Sequence, residues 1–360
     1  MHEIRVNLTS GGYPIRIEPA SLECLGPTLR SMGARGTVAL VTNSTVDRLY
    51  GAPVCRGIRK AGLSTLRLRI PEGERYKTLR TVRRLYDQFI EHRLERQSFL
   101  VALGGGVVGD VAGFAAATYL RGIPLVQVPT TLVAQVDASI GGKTGVDHPG
   151  GKNLIGAFYQ PRLVFIDPGV LGTLKGREYR AGLAEVVKYG VIADGDLFSD
   201  LEKAAERILA REPDPVVRLI VRCSEIKAKV VEQDERESGV RRILNFGHTL
   251  GHALETWGGY RKYLHGEAVS IGMVSAARMA LLLGLLSQEE VGRLMALLSR
   301  FGLPVSLPNF RVADILKIIA VDKKVAQGKI QFILPEHLGR VTVRGLDLKE
   351  VSALIKQLLK

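Results

Sequence analysis

The chain has 360 residues, of which 46% are hydrophobic and 24% are charged, and its formal net charge at pH 7 is +14. This mix is typical of a globular protein rather than a disordered one, and the length suggests two domains. The three cysteines are few, odd in number and widely separated, which excludes a disulfide framework and a thiolate zinc site and favours a cytoplasmic protein.

The excess of positive charge suggests an anionic partner, but the basic segment 56–96 lacks interleaved aromatic residues and any nucleic-acid-binding motif. We therefore expect no nucleic-acid partner and interpret most of that segment as solvated surface. The N-terminus lacks the apolar core of a signal peptide. The most apolar segment, 268–286, carries Arg278 in its middle. A charge there favours a buried helix over a membrane span, so we expect no membrane partner.

The first half alternates strand-like and helix-like segments. Apolar, β-branched runs predict strands at 37–42, 63–70, 98–103 and 125–128, and apolar residues at helical spacing predict a helix at 79–91. Because strands alternate with helices, we predict an α/β domain with a largely parallel sheet over residues 1–168. Ligands of such sheets bind at the carboxyl ends of the strands.

After residue 168 the pattern becomes mainly helical. A period of 3.6 residues predicts helices at 181–192, 196–210, 216–235, 267–286, 289–300, 312–320 and 347–359, with strands only at 329–334 and 340–343. The second predicted domain, residues 169–360, is therefore mainly α-helical.

A glycine cluster follows the predicted strand 98–103. Residues 104–109 fit the pattern G-x-G-x-x-G, which lets backbone N–H groups approach a pyrophosphate at a helix N-terminus. The standard dinucleotide fingerprint also requires an acidic residue about 20 positions later, and 121–136 contains none. A phosphate-binding turn of another kind and a merely tight strand–helix turn both remain open.

A second glycine-rich segment spans 140–156, which we interpret as a long loop. It does not satisfy the P-loop pattern, because Asp137 stands where the first glycine is required. The segment displays Lys143, Lys152 and Asn153, whose side chains suit a phosphate or a carboxylate. A solvated loop is the alternative.

Three histidines lie within 18 residues, at His248, His252 and His265. Neutral imidazoles with one carboxylate are a usual catalytic zinc set. His248 and His252, four residues apart, could chelate a metal together, or one could ligate while the other moves protons. Glu185 and Lys188 share a face of a predicted helix, where an exposed ion pair is the default interpretation.

Longer motifs, taken in order, resemble those of the 3-dehydroquinate synthase family of sugar-phosphate cyclases over nearly the whole chain. They are PEGE at 71–74 with Lys77, GGGVVGDVAGFAAATYLRG at 104–122, PTTLVAQVDASIGGKTGVDHPGGKNLIGAFYQP at 129–161, RAGLAEVVKYG at 180–190, LNFGHTLGHALE at 244–255, HGEAVSIGM at 265–273 and DKK at 322–324.

This resemblance implies a role for individual residues. The metal ligands, for zinc or cobalt, would be Glu185, His248 and His265. The NAD contacts would be Asn43, Glu74, Lys77, Gly105, Gly106, Val107, Gly109, Asp110, Thr130, Thr131, Lys143 and Lys152. The catalytic residues would be Asp137, Lys143, Lys188, Asn245 and His252. The substrate contacts would be Arg121, Lys143, Lys152, Asn153, Lys227, Arg241, Lys323 and Lys324.

The resemblance also implies an activity. The enzyme would be a carbon–oxygen lyase that turns 3-deoxy-D-arabino-heptulosonate 7-phosphate into 3-dehydroquinate and phosphate, by transient oxidation at C5, elimination, re-reduction, ring opening and aldol closure, in chorismate synthesis. Residues 1–168 would bind NAD and 169–360 the metal and substrate, with the active site in the interdomain cleft. Arg121 would reach the neighbouring subunit of a homodimer. The alternatives are another sugar-phosphate cyclase, or a metal- and NAD-dependent polyol dehydrogenase.

Overall fold

The chain divides into two units, called unit one (Met1–Leu174 with Lys227–Arg236) and unit two (Lys175–Ile226 with Glu237–Lys360). The structure is a computed structural model that describes residues 1–9, 11–322 and 329–359. Lys323 and Lys324, both expected to bind substrate, lie outside the described residues.

Unit one is an α/β unit. Its strands are β1 (His2–Val6), β2 (Tyr13–Ile17), β3 (Thr37–Asn43), β4 (Ser64–Ile70), β5 (Leu100–Gly104), β6 (Leu125–Pro129), β7 (Lys143–His148), β8 (Gly151–Phe158) and β9 (Leu163–Ile166). Its helices are α1 (Leu25–Ser31), α2 (Ser44–Val46), α3 (Ala52–Lys60), α4 (Leu79–Glu91) and α5 (Gly106–Thr118).

Seven of these strands form one sheet in the order β1-β2-β9-β6-β5-β3-β4. Only the pair β1–β2 is antiparallel, and every other neighbouring pair is parallel. The central strands β5, β6 and β9 are buried at every position, as expected for parallel strands covered on both faces. The predicted largely parallel sheet is therefore confirmed.

The apolar core of unit one lies on both faces of this sheet. On one face, Val82, Leu85 and Phe89 of α4 pack in the same cluster as Leu68 and the buried face of α5. On the other face, α1 and α3 cover β3, β5, β6 and β9. The sheet thus holds the carboxyl ends of β3, β5 and β6 in fixed positions. Asn43 is the last residue of β3, and the Gly105 turn and Thr130 follow β5 and β6.

At the edge strand β4, two arginines are tied to one buried carboxylate. Asp47, with 1% of its side chain exposed, accepts hydrogen bonds from Arg67 Nη2 at 2.7 Å and from Arg69 Nε at 2.6 Å. A Cβ at Gly51 would lie 2.0 Å from Asp47 Oδ1, so the single π-helical turn that carries both residues requires glycine there.

The expected loop at 140–156 is wrong in part. Residues 143–158 form an antiparallel β-hairpin of β7 and β8, in which Gly145 is paired with Gly156. A Cβ on Gly145 would lie 2.6 Å from Ile155 O, and one on Gly156 would lie 2.3 Å from Thr144 O. The glycines permit close strand contact, so they support a hairpin rather than a flexible loop.

Unit two is mainly helical. Its helices are α6 (Gly176–Ala193), α7 (Gly195–Leu209), α8 (Pro213–Gln233), α9 (His248–Trp257), α10 (His265–Leu282), α11 (Gln288–Arg300), α12 (Val312–Asp322) and α13 (Leu348–Leu358), with one hairpin of β10 (Ile330–His337) and β11 (Arg340–Leu346). The C-terminal turns of α8, from Lys227, belong to unit one. The predicted helical second half is confirmed, whereas α9 had not been predicted.

Glycines set the spacing of α6, α9 and α10. A Cβ on Gly266, in the first turn of α10, would lie 1.8 Å from Ala181 O of α6. A Cβ on Gly272 would lie 1.9 Å from Gly247 O, just before α9. Gly247 itself has φ +78, a left-handed conformation that favours glycine. These close approaches bring the start of α10 against α6 and the start of α9 against α10.

Helix α9 ends at Trp257. Its ring contacts Phe310 edge to face, with 6.1 Å between the ring centroids, and the Lys262 ammonium lies 4.4 Å from the centroid of the tryptophan ring.

The apolar segment around Arg278 forms the buried helix α10, as predicted. Of the helices in the described residues, none is both long enough and apolar enough to cross a bilayer.

Candidate active site

Unit two contains a buried cluster of one carboxylate and two imidazoles. Glu185 projects from α6, His248 is the first residue of α9, and His265 is the first residue of α10. Glu185 Oε1 lies 3.2 Å from His265 Nε2 and 3.5 Å from His248 Nε2. Glu185 is fully buried, whereas His265 keeps 38% of its side chain exposed. The cluster is therefore closed on the protein side and open toward solvent at His265.

A fourth group, Lys188, completes this cluster. It follows Glu185 by one helical turn, and its ammonium contacts Glu185 Oε2, with 1% of the lysine side chain exposed. Burial acts against the ionised form of Glu185, yet Lys188 and the two histidines hold the pKa of that carboxyl well below its usual value. Glu185 is therefore a carboxylate at neutral pH. The default interpretation of this pair as exposed is wrong.

The two histidines differ in their protonation. Burial lowers the pKa of His248 to about 4. Burial also opposes the charged form of His265, but the carboxylates of Glu185 and Glu255 outweigh it and raise the pKa of His265 to about 10. His248 is thus neutral at pH 7, while His265 holds a proton that a cation at this position would replace.

The geometry of the cluster fits a metal ion. Tetrahedral zinc with ligand bonds of about 2.0–2.1 Å places neighbouring ligand atoms about 3.3 Å apart, close to the separations between Glu185 Oε1 and the two imidazole nitrogens. Glu185 Oε2 contacts the Lys188 ammonium, whereas Oε1 faces the two imidazole nitrogens. The donor set of this one oxygen and two nitrogens suits zinc or cobalt.

His252 lies beside these ligands on the same face of α9. Its ring centroid is 5.3 Å from that of His248 and 5.9 Å from that of His265. His252, Glu255 and His265 also form a second group whose ligand atoms lie within 4.8 Å of one another. Spacing alone left open whether His248 or His252 joins the carboxylate. The contacts of Glu185 favour His248 and His265.

Two predicted site residues, Arg241 and Asn245, lie before α9 in a short 3-10 helix, Val240–Asn245. Arg241 is buried, with 1% exposure. Asn245 donates from Nδ2 to Glu237 Oε1 at 2.9 Å, so its carboxamide orientation is fixed. Glu237, which sequence reasoning did not single out, has φ +60. A glutamate backbone in the left-handed region is strained, and such strain is concentrated at functional sites. The hydrogen bond to Asn245 places this strained residue beside a predicted site residue.

Unit one brings together five of the residues expected to bind cofactor or substrate. Lys77, with 5% of its side chain exposed, contacts Asp110 Oδ2 at 2.6 Å and also donates to Asn153 Oδ1. Lys152 Nζ lies 3.3 Å from Glu74 Oε1. The loop 71–78, helix α5 and the hairpin β7–β8 thus meet through charged side chains.

This group includes charges that share a small volume. Burial raises the pKa of Asp110 to about 6, although Lys77 lowers it, and Glu74 adds a like charge nearby. Burial disfavours the charged form of Lys77, but Asp110 outweighs it, and the pKa of Lys77 lies above its usual value. Asp147, also missed from the sequence, accepts from Asn153 N at 2.9 Å within the hairpin, and its own N–H donates to Lys77 O at 2.7 Å, which holds the hairpin beside Lys77.

The glycine turn lies at the N-terminus of α5, as the pattern predicts. Gly105 is the residue before the helix, and a Cβ on it would lie 2.9 Å from Thr131 Cγ2. A Cβ on Gly109 would lie 2.9 Å from Gln127 Oε1. The glycines therefore serve close helix–strand packing, while Gly106 and Val107 lie in the first turn, where backbone N–H groups have no helical acceptor. Thr130 is buried and its N–H donates to Gly104 O at 2.9 Å.

The remaining predicted residues have distinct surroundings. Asp137 lies in a single π-helical turn and forms an ion pair with Lys227, in which 8% of the lysine side chain is exposed. Asn43 caps α2, accepting from Val46 N at 2.9 Å. Lys143 begins β7 and is exposed, and Arg121 is exposed in a turn where its φ is +66 and that of Leu120 is +50.

Known proteins similar to this chain indicate its family. The family models described as 3-dehydroquinate synthase N-terminal and C-terminal match residues 67–181 and 182–325. A protein of Geobacter metallireducens named 3-dehydroquinate synthase is 53% identical over 352 residues, covering 98% of each chain.

Two solved structures share the fold. A 2-epi-5-epi-valiolone synthase from Streptomyces hygroscopicus, with NAD+ and Zn2+ bound, has a TM-score of 0.89 and 29% identity, with 98% of both chains covered. A 2-deoxy-scyllo-inosose synthase, complexed with carbaglucose-6-phosphate, NAD+ and Co2+, has a TM-score of 0.89 and 27% identity, with 99% of this chain and 100% of the other covered.

Proposed function

This chain belongs to the 3-dehydroquinate synthase family, and we propose that it converts 3-deoxy-D-arabino-heptulosonate 7-phosphate into 3-dehydroquinate and phosphate. The observation that carries this proposal is 53% identity over 98% of the chain to a protein named for that activity. The enzyme is a carbon–oxygen lyase that depends on NAD and a divalent metal ion. Its reaction comprises oxidation at C5, loss of phosphate, re-reduction, ring opening and aldol closure.

Glu185, His248 and His265 hold the metal ion. Three protein ligands leave a position open for a substrate oxygen, as in other catalytic zinc sites. When bound, the metal acts as a Lewis acid on the substrate's C5 oxygen, and NAD accepts and returns one hydride. Lys188 keeps Glu185 ionised for this task, and the buried surroundings of Glu185 and Lys188 exclude water from their side of the metal.

The NAD-binding residues are those of the loop 71–78, the Gly105–Asp110 turn and the residues after β6. The first turn of α5 offers backbone N–H groups to a pyrophosphate. Lys77 and Lys152 add positive charge, and their contacts with Asp110 and Glu74 hold both ammonium groups in place before a ligand arrives. Asn43 is the last residue of β3, and Thr130 and Thr131 follow β6, on the ligand-binding edge of the sheet.

The substrate carries a phosphate and a carboxylate, and the proposal assigns cationic residues to each. Lys227 and Arg241 bind the carboxylate, because both are buried and hold their positive charge at fixed positions. Lys143, Lys152, Asn153 and a lysine of the 322–324 motif bind the phosphate and its neighbouring hydroxyls. Asp137 holds Lys227 until the substrate carboxylate takes its place, and His252 moves protons beside the metal ligands.

We further infer that the protein acts in the cytoplasm as a homodimer. Arg121 then reaches the phosphate bound by the neighbouring subunit. The supporting observation is the left-handed backbone of both Leu120 and Arg121. Such conformations cost about 1–3 kcal/mol each and persist where function requires a particular side-chain direction.

One specific observation favours a second candidate, another sugar-phosphate cyclase. The two solved neighbours with TM-scores of 0.89 are cyclases with other names. The discriminating groups are Lys227 and Arg241, because sedoheptulose 7-phosphate and glucose 6-phosphate lack a carboxylate to pair with them.

The test supplies purified protein with NAD, zinc or cobalt, and each of three substrates in turn. Heptulosonate phosphate is expected to release phosphate and yield dehydroquinate without accumulation of free NADH, whereas sedoheptulose 7-phosphate and glucose 6-phosphate give neither product. Accumulation of free NADH would contradict the cyclase assignment and would indicate a polyol dehydrogenase instead. Arg241→Ala should abolish turnover while NAD affinity stays unchanged, and turnover of a substrate without a carboxylate would establish the other cyclase.

A further inference from the structure

The two histidines of the Glu185 cluster are oriented by different acceptors. His248 Nδ1 lies 3.0 Å from Phe246 O, a neutral backbone carbonyl. His265 Nδ1 lies 3.1 Å from Glu255 Oε2, a carboxylate whose residue is only 6% exposed. The nitrogens that face Glu185 are the Nε2 atoms in both rings. Each imidazole therefore has one nitrogen toward the metal position and the other on a protein oxygen.

The chemistry of imidazole makes this second contact consequential. A neutral imidazole has one nitrogen with a lone pair and one that carries a hydrogen. If Nε2 of His265 binds a metal ion, Nδ1 must carry the hydrogen and needs an acceptor. An ionised acceptor at that position pulls the hydrogen toward itself and increases electron density on Nε2, which strengthens the metal bond.

We propose that Glu255 is a positioning residue for the metal centre, which accepts the Nδ1–H of His265 and makes His265 the stronger of the two imidazole ligands. Glu255 stands seven residues after His248 on α9 and ten before His265. It therefore connects α9 to the start of α10 through one partly buried contact. The proposal rests on the metal role assigned above to Glu185, His248 and His265.

The same geometry decides against a second ion. His252, Glu255 and His265 could form another ligand group, but His265 would then have to give both nitrogens to metal ions and lose its last N–H. That loss is disfavoured at neutral pH, because a ring that has a lone pair on one nitrogen keeps a hydrogen on the other. We therefore expect one metal ion per chain.

The experiment compares zinc affinity in the wild type, Glu255→Gln and Glu255→Ala by competition with a chromophoric chelator. Replacing an outer partner of a metal-bound histidine typically weakens metal affinity by about 10–100-fold. Glu255→Gln keeps the size and an acceptor oxygen but removes the charge, so we expect a weakening of about tenfold, and about 100-fold for Glu255→Ala. The visible absorption of the cobalt-loaded protein should shift in both variants.

The matched control is Glu206→Gln on α7, which removes a carboxylate from an exposed ion pair with Arg300 in the same unit. It should bind zinc within about twofold of the wild type, since exposed pairs contribute little. NAD affinity should be unchanged in all variants, which separates a metal-site effect from misfolding.

The outcomes separate this proposal from the proposed function. A wild type that binds no zinc would overturn the metal assignment itself. A wild type with one tight zinc ion, together with Glu255→Gln of equal affinity and an unchanged cobalt spectrum, would overturn only the role of Glu255. If each wild-type chain binds two zinc ions tightly, the positioning role of Glu255 is overturned and Glu255 is a ligand of a second metal site.

Discussion

Lys188 follows Glu185 by one turn of α6, and its ammonium contacts the Glu185 carboxylate while both side chains are almost wholly buried. Neither charge has access to bulk water, so each depends on its immediate neighbours for stabilisation. Removing one member of such a pair leaves an uncompensated charge in a region of low dielectric.

Replacement of this lysine by an isosteric apolar residue should therefore destabilise the protein. In metal-free protein, we expect Lys188→Met to lower the free energy of unfolding by about 3–5 kcal/mol. Saturating zinc should restore part of this loss, because the ion supplies positive charge to Glu185. Urea unfolding with and without zinc measures both effects. Lys60→Met, at an exposed pair with Glu23, should lower the free energy of unfolding far less, and equal losses in the two variants would contradict the argument.

The close approach of α10 to α6 gives a second prediction. Gly266→Ala places a methyl group 1.8 Å from the position of Ala181 O, so α10 must move away from α6 and carry His265 from Glu185. Overpacking of this kind costs about 1–3 kcal/mol, and zinc affinity should fall as well. Urea unfolding measures the loss of stability, and chelator competition measures the loss of zinc affinity.

Gly292 of α11 provides the control for that substitution. Among the described residues, nothing lies within 4 Å of a Cβ built on Gly292. Gly292→Ala should stabilise the protein by up to about 1 kcal/mol, because alanine has the higher helix propensity, and it should leave zinc affinity unchanged. Unaltered zinc binding in Gly266→Ala would show that the helix spacing does not set the ligand geometry.

These sites show how far the sequence alone can be taken. Helix α4 has the predicted bounds, 79–91, because its apolar spacing is regular and because Thr78 Oγ1 caps its start by accepting a hydrogen bond from Thr81 N. The hairpin β7–β8 was predicted as a loop, because the glycines that let Gly145 pair with Gly156 also weaken any strand pattern.

The candidate metal cluster was predictable in composition but not in arrangement. His248 and His252 share one face of α9, and spacing could not say which of them faces Glu185, since that depends on the crossing of α6 and α10. Glu255 also has a signal in the sequence. It lies seven residues after His248, on the same helical face as both histidines.

The third prediction concerns pH. The pKa of Asp110 is raised to about 6 from 3.8, so the folded protein favours its protonated form. That contribution to stability is complete below the unfolded pKa and is lost as the pH rises through about 6. Asp110→Asn lacks this dependence. Its destabilisation relative to the wild type should therefore be smaller at pH 8 than at pH 4.5, by roughly 2 kcal/mol.

Unfolding in urea at the two pH values measures this difference. The control is Glu206→Gln, which removes the carboxylate of an exposed ion pair with Arg300 and should change the stability little at either pH. A larger destabilisation by Asp110→Asn at pH 8 would mean that Lys77 dominates and that the carboxyl is ionised throughout this range.

The fourth prediction tests the proposed action of Arg121 across a dimer. Arg121→Ala and Lys188→Met should each be inactive alone. When the two variants are mixed, dissociated and reassociated, random pairing makes half of the dimers mixed. Each mixed dimer has one complete site of its two, so about a quarter of wild-type activity should return. If Arg121 acts within its own subunit, the mixture stays inactive.

Helix α9 begins at His248 and ends at Trp257, which is the single tryptophan of the chain. The indole is half-buried, meets Phe310 on its edge and carries the ammonium of Lys262 over its face. Tryptophan fluorescence, excited at the red edge of the protein absorption band, therefore reports on the C-terminal end of α9 alone. Because the other end of that helix carries a proposed metal ligand, changes in emission during metal loading can be followed in real time without any attached dye.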